Sequence, residues 1–146
     1  MFKHILLATD GSAASEKAAA MAVDLARQHG AKLTAAYVVD PYPYLGIGDT
    51  NPLGLHAYIS AAQDHAAAAH AKVIALCNAP GPKVDLQVRL LENVTAAKGI
   101  LQTAKDDGAD LIVAGSHGRS GLETLLIGSV ATKLVTMAHV PVLIVR

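Results

Sequence analysis

The residues best suited to chemistry lie in Gly115-Ser116-His117-Gly118 and, after nine intervening residues, Gly128-Ser129, a G-x2-G-x9-G-S spacing. The apolar run Ala109–Ala114 just before it predicts a buried strand, and Val130–Met137 just after it predicts a helix. Strand, glycine loop and helix form a phosphate-binding order. Glycine lets a ligand approach the backbone closely, and the first amides of a helix, lacking internal partners, attract an anion. Ser129 could cap that helix when the site is empty or place its hydroxyl on a phosphate when it is filled. The plain alternative is that these glycines only turn the chain between two elements.

Other phosphate motifs are missing. No G-x-x-x-x-G-K-[ST] occurs, and Gly46-Ile47-Gly48 followed by Asn51 does not complete a dinucleotide fingerprint. Asp10, at the end of the first apolar run, could bond a ribose hydroxyl or merely cap a turn. His117 could donate to a ribose or phosphate oxygen, or face solvent. Tyr42 and Tyr44 could cover a base or pack a loop onto the sheet. His65 and His70 are five apart rather than the four of paired metal ligands, which predicts ordinary helix surface. Cys77 reads as a small apolar helix residue, and Arg119 and Lys133, the nearest cations to the phosphate end, as surface groups.

Elements to position these groups alternate along the chain. Strands are expected at Lys3–Thr9, Ala31–Val39, Val84–Leu90, Leu111–Ala114 and Val140–Val145. Helices are expected at Ser15–His29, from about Leu55 to Asn78, at Asn93–Asp107 and at Val130–Met137. Asp10-Gly11-Ser12 forms a turn that ends in an N-cap candidate, and Pro41 to Gly54 is a loop. Five strands with helices between them argue for an open parallel sheet covered on both faces, where ligands bind beyond the strands' carboxyl ends. If the first and fourth strands are neighbours, Thr9–Ser12 and Gly115–Gly118 face one another across that crevice.

Composition bounds the function. The 146 residues suit one domain, and 52% hydrophobic against 16% charged residues suit a sheet buried on both faces. Lys plus Arg and Asp plus Glu number 12 each without a basic block, so a nucleic-acid footprint is missing. A single cysteine excludes an intrachain disulfide and favours a reducing compartment. The run Ile5–Ala8, cut by Asp10, is too short for a signal or a membrane span. A soluble cytoplasmic protein without membrane insertion is the expectation.

The chain resembles the universal stress protein family over essentially its whole length. The likeness rests on Ile5-Leu-Leu-Ala-Thr-Asp-Gly-Ser12, Tyr37–Asp40, Asp110–Gly121, Leu126–Ala131 and Pro141–Val145. It implies one universal stress protein domain over 1–146. Its fold would be a five-stranded parallel sheet in the order 3-2-1-4-5 with helices on both faces, of the adenine-nucleotide alpha-hydrolase-like type. In ATP-binding members the counterpart of Asp10 lies near adenine and ribose and that of Val38 beside the base. Those of Ala114, Gly115 and Gly118 follow the ribose and phosphates, and those of Gly128, Ser129 and Val130 hold the phosphates. With Thr9 and His117 beside them, these are the candidate site residues, for ATP, ADP or AMP and with Mg²⁺ held mainly by phosphates and water. No catalytic residue and no protein metal site is assigned. The resemblance also implies a homodimer through the last strand, Val140–Val145.

Two departures stand out. Where many relatives carry a basic residue between Gly121 and Leu125, this chain has Glu123 and Thr124, which leaves the preference between di- and triphosphate open. After the third strand, where glycine is common, it has Glu92-Asn93. Three functions are compatible with the sequence. One is a nucleotide-binding regulatory or sensor protein read by an unidentified partner; the others are a slow ATPase or phosphoryl-transfer enzyme, and an interaction module with a vestigial site. The first is favoured, because neither a positioned base nor a phosphate-clamping lysine is visible.

Overall fold

The computed structural model describes residues 1–41, 52–118 and 127–146. In chain order the elements are β1 (His4–Ala8), α1 (Ala13–His29), β2 (Lys32–Val38), α2 (Pro52–Asn78), β3 (Asp85–Leu91), α3 (Ala96–Asp107), β4 (Leu111–Gly115), α4 (Ser129–Met137) and β5 (Val142–Val145). The strands form one sheet in the order β3-β2-β1-β4-β5, and every pairing is parallel. This is the order the family resemblance implies.

Strand side chains alternate between the faces, and that alternation builds two cores. Ile5 and Leu7 of β1, Leu33 and Ala35 of β2, and Leu111 and Val113 of β4 point to one face. There they meet Ala18, Ala22, Val23 and Ala26 of α1 and Val73 of α2. Leu6, Ala36, Ile112 and Ala114 point to the other face and meet Ile100 and Ala104 of α3 and Leu134 of α4. The central strands are thus buried on both sides, which is why they read as unbroken apolar runs. A smaller cluster of Tyr37, Val39, Ala66 and Ala69 seats the middle of α2 against the end of β2.

Helix ends follow from local residues. Ser12 caps α1, its Oγ accepting from the Ser15 amide at 3.3 Å, and Gly30 closes it with φ 62°. The Arg27 guanidinium caps the carboxyl end of α2 by donating to the carbonyls of Leu76, Cys77 and Ala79 at 3.0, 3.3 and 2.8 Å. Helix α2 begins at Pro52, before the expected Leu55, since proline at a first helical position has no amide bond to lose. Helix α3 begins at Ala96, after the expected Asn93, because Asn93 takes φ 58° and Thr95 is the N-cap. The loop that departs from the family pattern has a left-handed residue, supplied by asparagine, which tolerates that conformation better than most.

The amino end of the sheet is fastened by Asp110. Its carboxylate accepts from the amides of Lys3 at 2.9 Å and His4 at 3.1 Å, tying the start of β1 to that of β4. Burial alone would raise this carboxyl, but the two amides outweigh it and hold Asp110 below the usual carboxylate range. His4 is buried beside it, with Nδ1 3.0 Å from the Asp107 carbonyl and Nε2 2.8 Å from Thr34 Oγ1. Among the described residues no helix is long and apolar enough to cross a membrane.

Candidate functional site

Strand order reverses at β1, which lies between β2 and β4. The connection after β1 leads to α1 on one face, and that after β4 leads to α4 on the other. The strand ends part there and leave a crevice. It holds a cavity of about 300 Å³, near the lower end of the roughly 300–1,000 Å³ of small-molecule sites. All ten candidate residues lie on its wall: Thr9, Asp10, Val38, Ala114, Gly115, His117, Gly118, Gly128, Ser129 and Val130. Four separate stretches of the chain bring them together.

The acidic side of the wall is a folded turn. The Thr9 amide donates to the Ala36 carbonyl at 3.0 Å, extending the line of β1 beyond Ala8. Asp10 Oδ1 then accepts from the Ser12 amide at 2.9 Å, and Ser15 Oγ donates to the Ser12 carbonyl at 2.9 Å. Asp10 thus braces the turn that starts α1 and also fronts the cavity, so its capping and ligand-facing roles are compatible. Gly11 takes φ 78°, the left-handed conformation that such a turn needs.

The glycines are small for different reasons. A Cβ on Gly115 would come within 2.8 Å of the Ala14 carbonyl carbon, so β4 and the first turn of α1 pack backbone to backbone. A Cβ on Gly128 would lie 3.1 Å from the Ser116 carbonyl oxygen, to which the Gly128 amide donates at 2.7 Å. The fold itself therefore accounts for both of these glycines. Gly118 is different, because the closest atom to an added Cβ is the side-chain oxygen Asp10 Oδ2, also on the cavity wall, at 3.1 Å.

Gly128, rather than Ser129, is the N-cap of α4, and no side chain caps the helix. The expectation that Ser129 caps the empty site is therefore corrected: Ser129 is the first helical residue, with its own backbone already in the helix. Glycine has no side chain to offer, so the N-cap residue gives the first amides of α4 no side-chain cap where the helix meets the cavity. The Gly128 carbonyl accepts from the Thr132 amide and from Thr132 Oγ1, both at 2.9 Å, which fixes the direction of that first turn.

Several lining residues escaped sequence reasoning. Ser116 is 2% exposed, and its Oγ lies 2.9 Å from His117 Nδ1, orienting the imidazole at the cavity wall. Ala36, Ala96 and Ile100 join Val38 in an apolar wall suited to a flat ring, while Ile127 flanks the start of α4. Ile100 carried a signal in its helical spacing, but that spacing predicts only burial. Among the described residues on the wall there is no lysine or arginine, and Asp10 is the one carboxylate. No group of three or more His, Cys, Asp or Glu residues suited to a metal occurs among the described residues.

His65 is exposed as expected, but His70 is not ordinary helix surface. It is 8% exposed and meets the Tyr37 ring edge-on, with centroids 6.3 Å apart. Burial pushes its pKa below the usual histidine value, and the nearby backbone of Ala35 and Arg89 offsets this only in part. Cys77 is partly buried against the core as expected, and burial pushes its thiol up while Arg27 draws it down. Tyr42, Tyr44, Arg119, Glu123 and Thr124 lie outside the described residues.

The model of the Universal stress protein family matches residues 1–146. The chain belongs to the universal stress protein family. A universal stress protein of Thermus aquaticus is 38% identical over 147 residues, covering 100% of both chains. Among solved structures, universal stress protein UspA of Lactobacillus plantarum superposes with a TM-score of 0.78 at 28% identity, covering 99% of this chain and 97% of its own. A universal stress protein crystallised in complex with cAMP superposes with a TM-score of 0.64 at 25% identity, over 99% and 97% of the two chains.

Proposed function

We propose that this universal stress protein binds an adenine nucleotide, ATP, ADP or AMP, in the crevice between β1 and β4, and that occupancy regulates its contacts with a protein partner in a stress response. One observation carries the proposal. A single cavity joins the apolar wall of Val38 and Ile100, the carboxylate of Asp10, the Gly115–Gly118 backbone and the start of α4, which has no side-chain cap. That sequence of surfaces matches base, ribose and phosphates in order. A family neighbour complexed with cAMP supports the same ligand class. Because the described wall lacks lysine and arginine, the amides of Ser129, Val130 and Ala131 meet the phosphate charge. Mass spectrometry of the small molecules released when the purified protein is denatured tests the assignment. An adenine nucleotide at near-stoichiometric amount is expected; its absence, together with no binding of added ATP, ADP or AMP, overturns it.

Mg²⁺ would supply charge neutralisation to a bound polyphosphate and be held mainly by phosphate oxygens and water. Asp10 is the one carboxylate that the described wall offers it. The same poverty of chemical groups argues for regulation over catalysis. Asp10 Oδ1 is engaged with the Ser12 amide, and no lysine on the described wall clamps a terminal phosphate. Turnover in single-turnover assays should fall far below the roughly 1–100 s⁻¹ of kinases. Hydrolysis within seconds would favour the slow-enzyme alternative instead. A vestigial site is the third reading, and a cavity bounded by all ten expected residues counts against it. The proposal includes a homodimer through β5 and, from the lone cysteine, residence in the cytoplasm.

A further inference from the structure

Helices α3 and α4 touch over the sheet but leave a groove lined from both. Between them runs a groove of about 1,000 Å³ whose floor includes Ala97, Ala104, Ala109 and Ile112, all no more than 7% exposed. Leu101, Val130 and Met137 form its apolar flanks, and Met137 is 58% exposed, a large side chain left in water. The groove adjoins the nucleotide cavity, since Ala96 and Val130 line both.

The rim is basic. Lys98 and Lys105 stand on α3 and Lys133 on α4, with His139 beyond the end of α4, whereas Asp40 is the one acidic residue on the groove wall. All three lysines are exposed, and none has a carboxylate within ion-pairing distance among the described residues. The charge is also spread out. Lys98 and Lys105 are seven residues apart on one helix, roughly 10 Å at 1.5 Å per residue. A single-headed anion such as a fatty acid would use one end of such a rim and leave the rest unpaired. An apolar floor with cations along its length complements an amphipathic helix with acidic flanks.

We propose that the α3–α4 groove docks an amphipathic, acidic helix of a protein partner. Apolar side chains of the partner fill the space over Ile112 between Leu101 and Met137, and its carboxylates meet Lys98, Lys105 and Lys133. Ala104, Ala109 and Ile112 of the floor belong to the core cluster that also carries Ala114, so the dock rests on packed core. It needs no nucleotide, and its test is made without one, so failure of the nucleotide assignment leaves it standing.

The test uses the full chain and a fluorescein-labelled helical peptide of about 14 residues, long enough to run beside α3, with leucines at i, i+3, i+4 and i+7 and glutamates elsewhere. Anisotropy titration should show saturable binding that weakens with salt, while the same peptide with lysine for glutamate should not bind. Lys98→Glu with Lys133→Glu, both at exposed positions and checked for folding by circular dichroism, should weaken binding at least about tenfold. Amide shifts on titration should centre on 96–109 and 130–140. Equal binding of both peptides, unchanged affinity in the lysine variant, or shifts centred elsewhere overturns the proposal. So does failure of the acidic peptide to bind while anionic phosphatidylserine vesicles do, which would make the groove a membrane contact. A wild-type dimer that the lysine variant dissociates would assign the groove to a second copy of the chain and likewise overturn it.

Discussion

Gly118 lies so close to Asp10 at the cavity wall that a Cβ at position 118 would lie 3.1 Å from Asp10 Oδ2. That carboxylate also belongs to the turn that starts α1, through the bond from the Ser12 amide to Oδ1. Loop and turn therefore meet at the edge of the cavity that both line. Gly118→Val should abolish measurable nucleotide binding in calorimetric titration while leaving the far-ultraviolet circular dichroism intact. The side chain enters the cavity rather than the core, so unchanged affinity would show that the ligand lies elsewhere.

Ser129 offers a subtler test. It is exposed, and the structure gives it no role as a cap, so removing its hydroxyl should leave stability unchanged. A hydroxyl bonded to a charged phosphate oxygen contributes about 1.5–3 kcal/mol. Ser129→Ala should therefore weaken nucleotide binding roughly tenfold or more. Calorimetry on the variant, with a thermal melt alongside, separates a binding role from a structural one.

The fold was legible because its strands are buried on both faces. Runs such as Ile5-Leu6-Leu7 need no alternation when α1 and α2 cover one side and α3 and α4 the other. The strand order could not be read from periodicity and came only from the resemblance. The ten site residues were found through glycine spacing and motif matches, yet Gly115 and Gly128 are also required by contacts with Ala14 and Ser116. Sequence alone cannot divide a glycine's service to the fold from its service to a ligand. Ser116, Ala96 and Ile100 are not assigned to the site from sequence, because a buried serine, an alanine and an isoleucine look the same in a core as in a cavity wall. His70 was misjudged for a related reason. Its spacing to His65 excluded one motif, but burial depends on β2 meeting α2 through Tyr37.

Asn93 carries a small, measurable strain. At φ 58° an asparagine is tolerated, whereas a glycine has no side chain to oppose the conformation. Asn93→Gly removes that strain and also loosens the unfolded chain, and the two effects oppose one another. The thermal midpoint should change little, corresponding to less than about 1 kcal/mol. Asn93→Val, a branched residue forced to positive φ, should destabilise by roughly 1–3 kcal/mol. Equal midpoints for the valine variant and wild type in differential scanning calorimetry would show that the residue does not hold this conformation.

His70 should make stability fall in mild acid. Burial depresses its folded-state pKa, so between that value and the ordinary histidine value of about 6.5 the unfolded chain binds more protons than the folded one. The contribution is fully present above the unfolded value and is lost as pH falls toward the folded one. His70→Leu should remove it. Urea midpoints at about pH 7.5 and about pH 5.5 should converge in the variant relative to wild type. An identical pH dependence in both proteins would mean that His70 is free to ionise where it sits.

Strand β5 pairs with β4 on one side and lies at the edge of the sheet on the other. The Ile112 amide donates to the Pro141 carbonyl at 3.0 Å and the Ser116 amide to the Val145 carbonyl at 2.9 Å. In a parallel ladder this phase turns the amides of Leu143 and Val145 toward β4 and those of Val142 and Ile144 outward. An outward row of unpaired groups on an apolar strand is a template for a second copy, and a two-fold axis would pair both edges antiparallel. Lysine at Leu143 or Val145 is a poor probe, because both side chains pack into the α1 face of the core. Ile144→Pro is cleaner: it deletes an outward amide, leaves the β4 ladder its donors, and remains apolar. Light scattering at micromolar concentration should give a dimer for wild type and a folded monomer for Ile144→Pro. A monomeric wild type, or a proline variant that stays folded and dimeric, would remove β5 from the interface.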